Sequence, residues 1–135
     1  MKRAILVLAA MAVALGLASG IALAATIVGT DKAETLIGTR YADYIRADGG
    51  ADEVRGLRGP DELYGNRGRD KIIGGRGEDR LYGGRGDDHI VSRDLNDFGI
   101  GQRDMVDCGP GHDTYAADFD DGAIRNCEEG TVSGS

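Results

Sequence analysis

The chain has 135 residues with no Trp, two Phe, 23 Gly and a formal charge of −7. That length leaves room for one small domain, and an acidic, glycine-rich, aromatic-poor chain does not fold by apolar burial alone; it needs staples or a metal. The acidic balance also argues against nucleic acid as a partner, because phosphates are met by a net basic surface.

In residues 1–24, Lys2 and Arg3 precede the apolar run Ile5–Leu17, and Ala22-Leu23-Ala24 follows. This is the layout of a secretory signal peptide, with cleavage expected after Ala24. The run is short for a membrane span, although Ala4–Ala25 is apolar or small throughout, which leaves an uncleaved anchor as the rival. Cleavage removes two cations and no acid, so the charge moves from −7 to −9. The expected product is secreted, extracellular and monomeric, without membrane contact.

Ala25-Thr26-Ile27-Val28 is a strand-like lead into seven nonapeptides without a gap: GTDKAETLI, GTRYADYIR, ADGGADEVR, GLRGPDELY, GNRGRDKII, GGRGEDRLY and GGRGDDHIV, residues 29–91. The sixth place is acidic, from Glu34 and Asp43 to Asp88, and the eighth is aliphatic, from Leu36 to Ile90. A fixed period names an architecture before any propensity does. Each unit reads as a glycine-rich turn, one carboxylate and a three-residue strand with one inward aliphatic. Lys32 and Tyr41 stand where later repeats have Gly, so 25–46 reads as an N-terminal cap with degenerate repeats. The sharp repeats occupy 47–91.

The nonapeptides resemble the calcium-binding repeat of the RTX, or hemolysin-type, proteins, Gly-Gly-x-Gly-x-Asp-x-aliphatic-x. GGRGEDRLY and GGRGDDHIV match it at every defined place. The resemblance implies an all-β fold, a parallel β-roll (a right-handed β-solenoid). Two nonapeptides make one coil there, so residues 18 apart lie about 4.8 Å from one another. Position eight then faces inward as the whole core, while positions seven and nine face outward. Best-known members of that family leave the cell without an N-terminal signal, unlike the route expected here.

The chemistry belongs to the turns. Calcium takes six to eight hard oxygens, mixing carboxylates with carbonyls. Glycine turns aim carbonyls at one spot, and one Asp per turn adds charge. Stacked carboxylates repel unless a cation lies between them. The pairs expected to share an ion are Asp52 with Asp70, Asp61 with Asp79 and Asp70 with Asp88, about three well-formed Ca2+ sites; Asp43 with Asp61 is a poorer pair. The glycines expected to help are Gly50, Gly56, Gly59, Gly65, Gly68, Gly74, Gly75, Gly77, Gly83, Gly84 and Gly86. Magnesium is the rival metal; zinc would want the His or Cys that the turns lack. Leu57 at position two suits left-handed geometry poorly and Pro60 donates no N–H, so sites using that turn are expected to be weaker.

Position three is Arg at 40, 58, 67, 76 and 85, outside the family pattern. The columns Arg40–Arg58–Arg76 and Arg67–Arg85 read either as solvated cations beside the acids or as a ladder for an anionic extracellular or cell-wall polysaccharide.

Residues 92–98 break the period and read as a loop. Register returns at GIGQRDMVD and CGPGHDTYA, with Asp104 and Asp113 at the sixth place as further candidate ligands. Residues 99–127 are read as degenerate repeats in a C-terminal cap. In an exported chain the cysteine pair Cys108 and Cys127 favours a disulfide, against a Cys/His site with His112. Residues 128–135 are expected to be a disordered tail. His89 and His112 lie near no nucleophile pattern, and the chain is expected not to be an enzyme.

Overall fold

The computed structural model describes residues 5–6, 23–93, 102–118 and 121–132. The expected leader lies outside these apart from Ile5–Leu6 and Leu23–Ala24, as does 94–98 of the expected loop. The elements are β1 Ile5–Leu6, β2 Thr26–Val28, β3 Glu34–Ile37, β4 Tyr44–Arg46, β5 Glu53–Arg58, β6 Glu62–Arg67, β7 Lys71–Arg76, β8 Arg80–Arg85, β9 His89–Val91, β10 Met105–Asp107, β11 Thr114–Ala117, β12 Ile124–Arg125 and β13 Glu129–Val132.

Successive strands go to opposite sheets. One sheet runs β1-β3-β5-β7-β9-β11-β13 and the other β12-β10-β8-β6-β4-β2. Every pairing is parallel. Partners are 18 residues apart through the central repeats, as Leu36 with Val54, Val54 with Ile72, and Leu63 with Leu81. The fold is the parallel β-roll, a β-solenoid. Across the period break the step is 25 residues, Ile90 to Tyr115 and Leu81 to Val106. The excess equals the seven residues 92–98, so the later strands return to the same phase.

The core is a double column of aliphatics. Leu36, Val54, Ile72 and Ile90 meet Ile45, Leu63, Leu81 and Val106, all fully buried. None could be sequestered within its own nonapeptide, so each is buried only by stacking. Tyr115, at the same register, is half-buried and lies against Gly130.

Three details depart from expectation. The central strands are six residues long, not three, continuing through the next repeat's first places. Strand alternation therefore turns positions six, eight and one inward together, so position eight is not the whole core. Position one is accordingly small: Ala47, Gly56, Gly65, Gly74, Gly83 and Cys108 are buried. Lastly, Glu129–Val132, expected to be disordered, pairs with Thr114–Ala117. The edge of β11 offers unpaired backbone groups, and the Cys108–Cys127 disulfide delivers the chain to it.

Candidate metal centre

The sixth-place acids are the largest surprise of burial. Asp43, Asp52, Asp61, Asp70, Asp79, Asp88, Asp104 and Asp113 are all buried, Asp61 at 2% and Asp70 at 1% exposure. Turn chemistry alone would leave them in solvent. They are held by a ladder in which each carboxylate reaches the turn one coil earlier. The Asp43 N–H donates to Asp61 Oδ1 at 2.8 Å, Asp52 N–H to Asp70 Oδ1 at 2.9 Å, and Asp61 N–H to Asp79 Oδ1 at 2.9 Å. Asp70 N–H meets Asp88 Oδ1, Asp79 N–H meets Asp104 Oδ1, and Asp88 N–H meets Asp113 Oδ1. The expected pairs are thus in contact, joined by a backbone donor.

Only one oxygen of each acid is used this way. The Oδ2 atoms of Asp52, Asp61, Asp70, Asp88 and Asp113 are buried without a hydrogen-bond partner. A buried polar atom left unsatisfied costs about 1–3 kcal/mol, more when charged. Burial is the main cause that raises these acids. Asp61 is pushed up to about 8 and Asp70 to about 7, with neighbouring carboxylates adding a smaller repulsion and the ladder bond opposing both. Asp52 and Asp88 rise to about 6 for the same first reason, and Asp113 also moves up. Desolvation outweighs the like-charge repulsion on which the sequence argument relied.

The unpaired oxygens face a built cradle. At Gly65 an added Cβ would stand 2.5 Å from Asp70 Oδ2 and 2.6 Å from the Gly83 carbonyl. At Gly56 it would run into Asp61 Oδ2 and the Gly74 carbonyl, and at Gly83 into the Cys108 carbonyl and Asp88 Oδ2. Carboxylate and carbonyl oxygens of successive coils therefore converge where position one carries no side chain. Ala47 puts a methyl at the matching place in the Asp52 turn.

The turn glycines are required by close approach. Gly68 and Gly86 have φ of 119° and 124°, and a Cβ on either would strike the carbonyl of Gly50 or Gly68. Gly59 and Gly77 repeat that relation, and Gly75 and Gly84 take left-handed geometry at the second place. Leu57 adopts the same geometry at φ 84°, the strain anticipated for a branched side chain. Pro60 is exposed at the turn's tip.

Among the described residues no three acidic, His or Cys side chains converge on one point. An ion here must draw on backbone carbonyls as well as carboxylates, which is the donor set of calcium and not of zinc. The Cys/His112 alternative fails because Cys108 and Cys127 are bonded to each other, Cα atoms 5.2 Å apart. Asp43 is reached by Thr39, its Oδ2 accepting the Thr39 N–H at 2.5 Å. Sequence reasoning missed Asp121 and Glu128, which end the two ladders by accepting from Asp104 N–H at 3.3 Å and Asp113 N–H at 2.8 Å. Both are out of phase with the nonapeptides; the acid pair directly after Cys127 was the available signal.

Fold and turn chemistry together define a repeat protein of the metal-binding β-roll class. The family model for the RTX calcium-binding nonapeptide repeat matches residues 28–63, 56–90 and 64–98, more than half of the chain. The chain belongs to that family. A search of the curated proteins finds no match to it.

Proposed function

We propose that this chain binds Ca2+ in its stacked turns and that the ion completes the fold of a secreted structural or interaction module. The observation that carries this is the set of buried, unpartnered Oδ2 atoms beside converging carbonyls. The residues that would hold the ion are Asp61, Asp70, Asp79 and Asp88, with the carbonyls of Gly74, Gly83 and Cys108; Asp52, Asp104 and Asp113 extend the set. A bound divalent ion supplies the positive charge that these carboxylates lack once removed from water. Chelation tests this. With EDTA the chain is expected to lose its β circular dichroism at pH 8, and calcium to restore it. A full β spectrum with an unshifted melting curve after rigorous chelation overturns the reading.

A second reading concerns the arginines. Arg58 pairs in register with Arg76, and Arg67 with Arg85. In the latter column Arg67 lies 3.5 Å from Asp31. The former lines a groove with Arg40 over the apolar floor of Leu57, Ile73 and Val91. This favours an anionic polysaccharide along that column. Retention on such a matrix in saturating calcium should fall in Arg58→Gln/Arg76→Gln, and unchanged retention rejects it.

A further inference from the structure

The turns fall into two kinds according to their second residue. Asp48, Leu57, Asn66, Gly75, Gly84 and Gly109 all have positive φ, between 71° and 97°. Thr30 and Thr39, at the same place in the first two repeats, do not. A β-branched side chain makes the left-handed region a steric outlier. The threonine backbone therefore turns the other way, and its N–H points into its own repeat.

That N–H lands on the acid. Thr39 N–H donates to Asp43 Oδ2 at 2.5 Å and Thr30 N–H to Glu34 Oε2 at 2.7 Å. The hydroxyls add to this, Thr39 Oγ1 at 3.0 Å from Asp43 Oδ1 and Thr30 Oγ1 at 2.9 Å from Glu34 Oε1. Each hydroxyl is itself fixed by accepting an N–H two residues on, from Tyr41 and Lys32. In the Asp61 and Asp70 turns the corresponding Oδ2 has no donor at all. One backbone flip thus separates a carboxylate closed by its own chain from one left open.

We infer that the second residue of each turn decides whether that turn takes a cation, and that Thr30 and Thr39 hold the first two turns closed. The inference depends on the calcium reading above. Closure lets the first coil satisfy its acids without metal, so it supplies a formed template onto which metal-dependent coils stack. It also makes the number of bound ions smaller than the number of repeats.

The test counts calcium per chain by equilibrium dialysis on the full-length protein. Thr39→Gly with Tyr41→Gly converts GTRYAD to GGRGAD, giving both left-handed places to glycine, and should bind one more ion than wild type. Thr39→Val keeps the β-branch and the closing N–H, so it should bind the wild-type number. Gly84→Thr should bind one fewer, its circular dichroism at saturating calcium otherwise β. A wild type that binds calcium, with a stoichiometry unmoved by the double variant and by Gly84→Thr, overturns the inference alone. An extra ion in Thr39→Val overturns it too. A wild type that binds no calcium sinks the calcium reading, and this inference with it.

Discussion

The central repeats and the closing segment build one ladder by different means. Between Asp52 and Asp88 every rung spans 18 residues and every turn sets its acid at the sixth place, although the second place varies from Asp48 and Leu57 to Asn66, Gly75 and Gly84. After Val91 the rungs span 25, then 17 and 15 residues, yet each still ends with an acid on a backbone N–H. The glycines thin out and a disulfide appears. What the fold retains is therefore the acid-to-amide rung, and the nonapeptide period is one convenient way of delivering it. The 25-residue step exceeds the regular one by seven residues and still leaves β10 and β11 in phase with the strands before them.

The largest test of this contrast is pH. The central acids have folded pKa values above their ordinary one, so the metal-free fold binds more protons than the unfolded chain. Their contribution is fully present below about 4 and is lost as pH rises through 6 to about 8. Chelated protein should therefore be more β-structured at pH 5 than at pH 8, and calcium affinity should fall as protons compete below pH 8. Circular dichroism against pH, with and without EDTA, measures both; greater structure at pH 8 in EDTA would contradict the burial argument.

Next comes the core. Ile72→Ala, in the middle of the column and fully buried, should lose about 2–5 kcal/mol of unfolding free energy in calcium. Ile124→Ala, half-buried in the closing segment, should lose only about 1 kcal/mol. Urea midpoints compare them, and equal losses would mean that the closing segment is as tightly packed as the centre. Replacing Cys108 and Cys127 by Ser should cost roughly 3 kcal/mol. Hydrogen exchange should show 102–132 losing protection before 47–91 does. The smallest effect is a gain: Leu57→Gly relieves a left-handed leucine that is 45% exposed, and should add about 1 kcal/mol in calcium.

Much of this architecture was legible because a nine-residue period with one aliphatic allows few arrangements. The identity of the inward Leu, Ile and Val follows from it, while stacking at 18 residues and alternation between sheets came with the resemblance to the RTX repeat. The direction of the acids was not legible. A turn full of Gly and Asp reads as solvated, whereas Asp61 and Asp70, each directly before its strand, are buried on the same side as Leu63 and Ile72 two residues on. The closing acids were hidden for another reason. Asp121 and Glu128 are positioned by the covalent link and by Ser92, whose hydroxyl donates to Asp121 Oδ2 at 2.6 Å, and no periodic count anticipates either.

Every rung also has the same polarity: a side chain reaches back to main chain that precedes it. A polypeptide emerging amino end first presents each amide before the acid that will cap it. Each new turn then has an amide of an earlier coil already in place to accept from, so the stack can grow one turn at a time from its amino end.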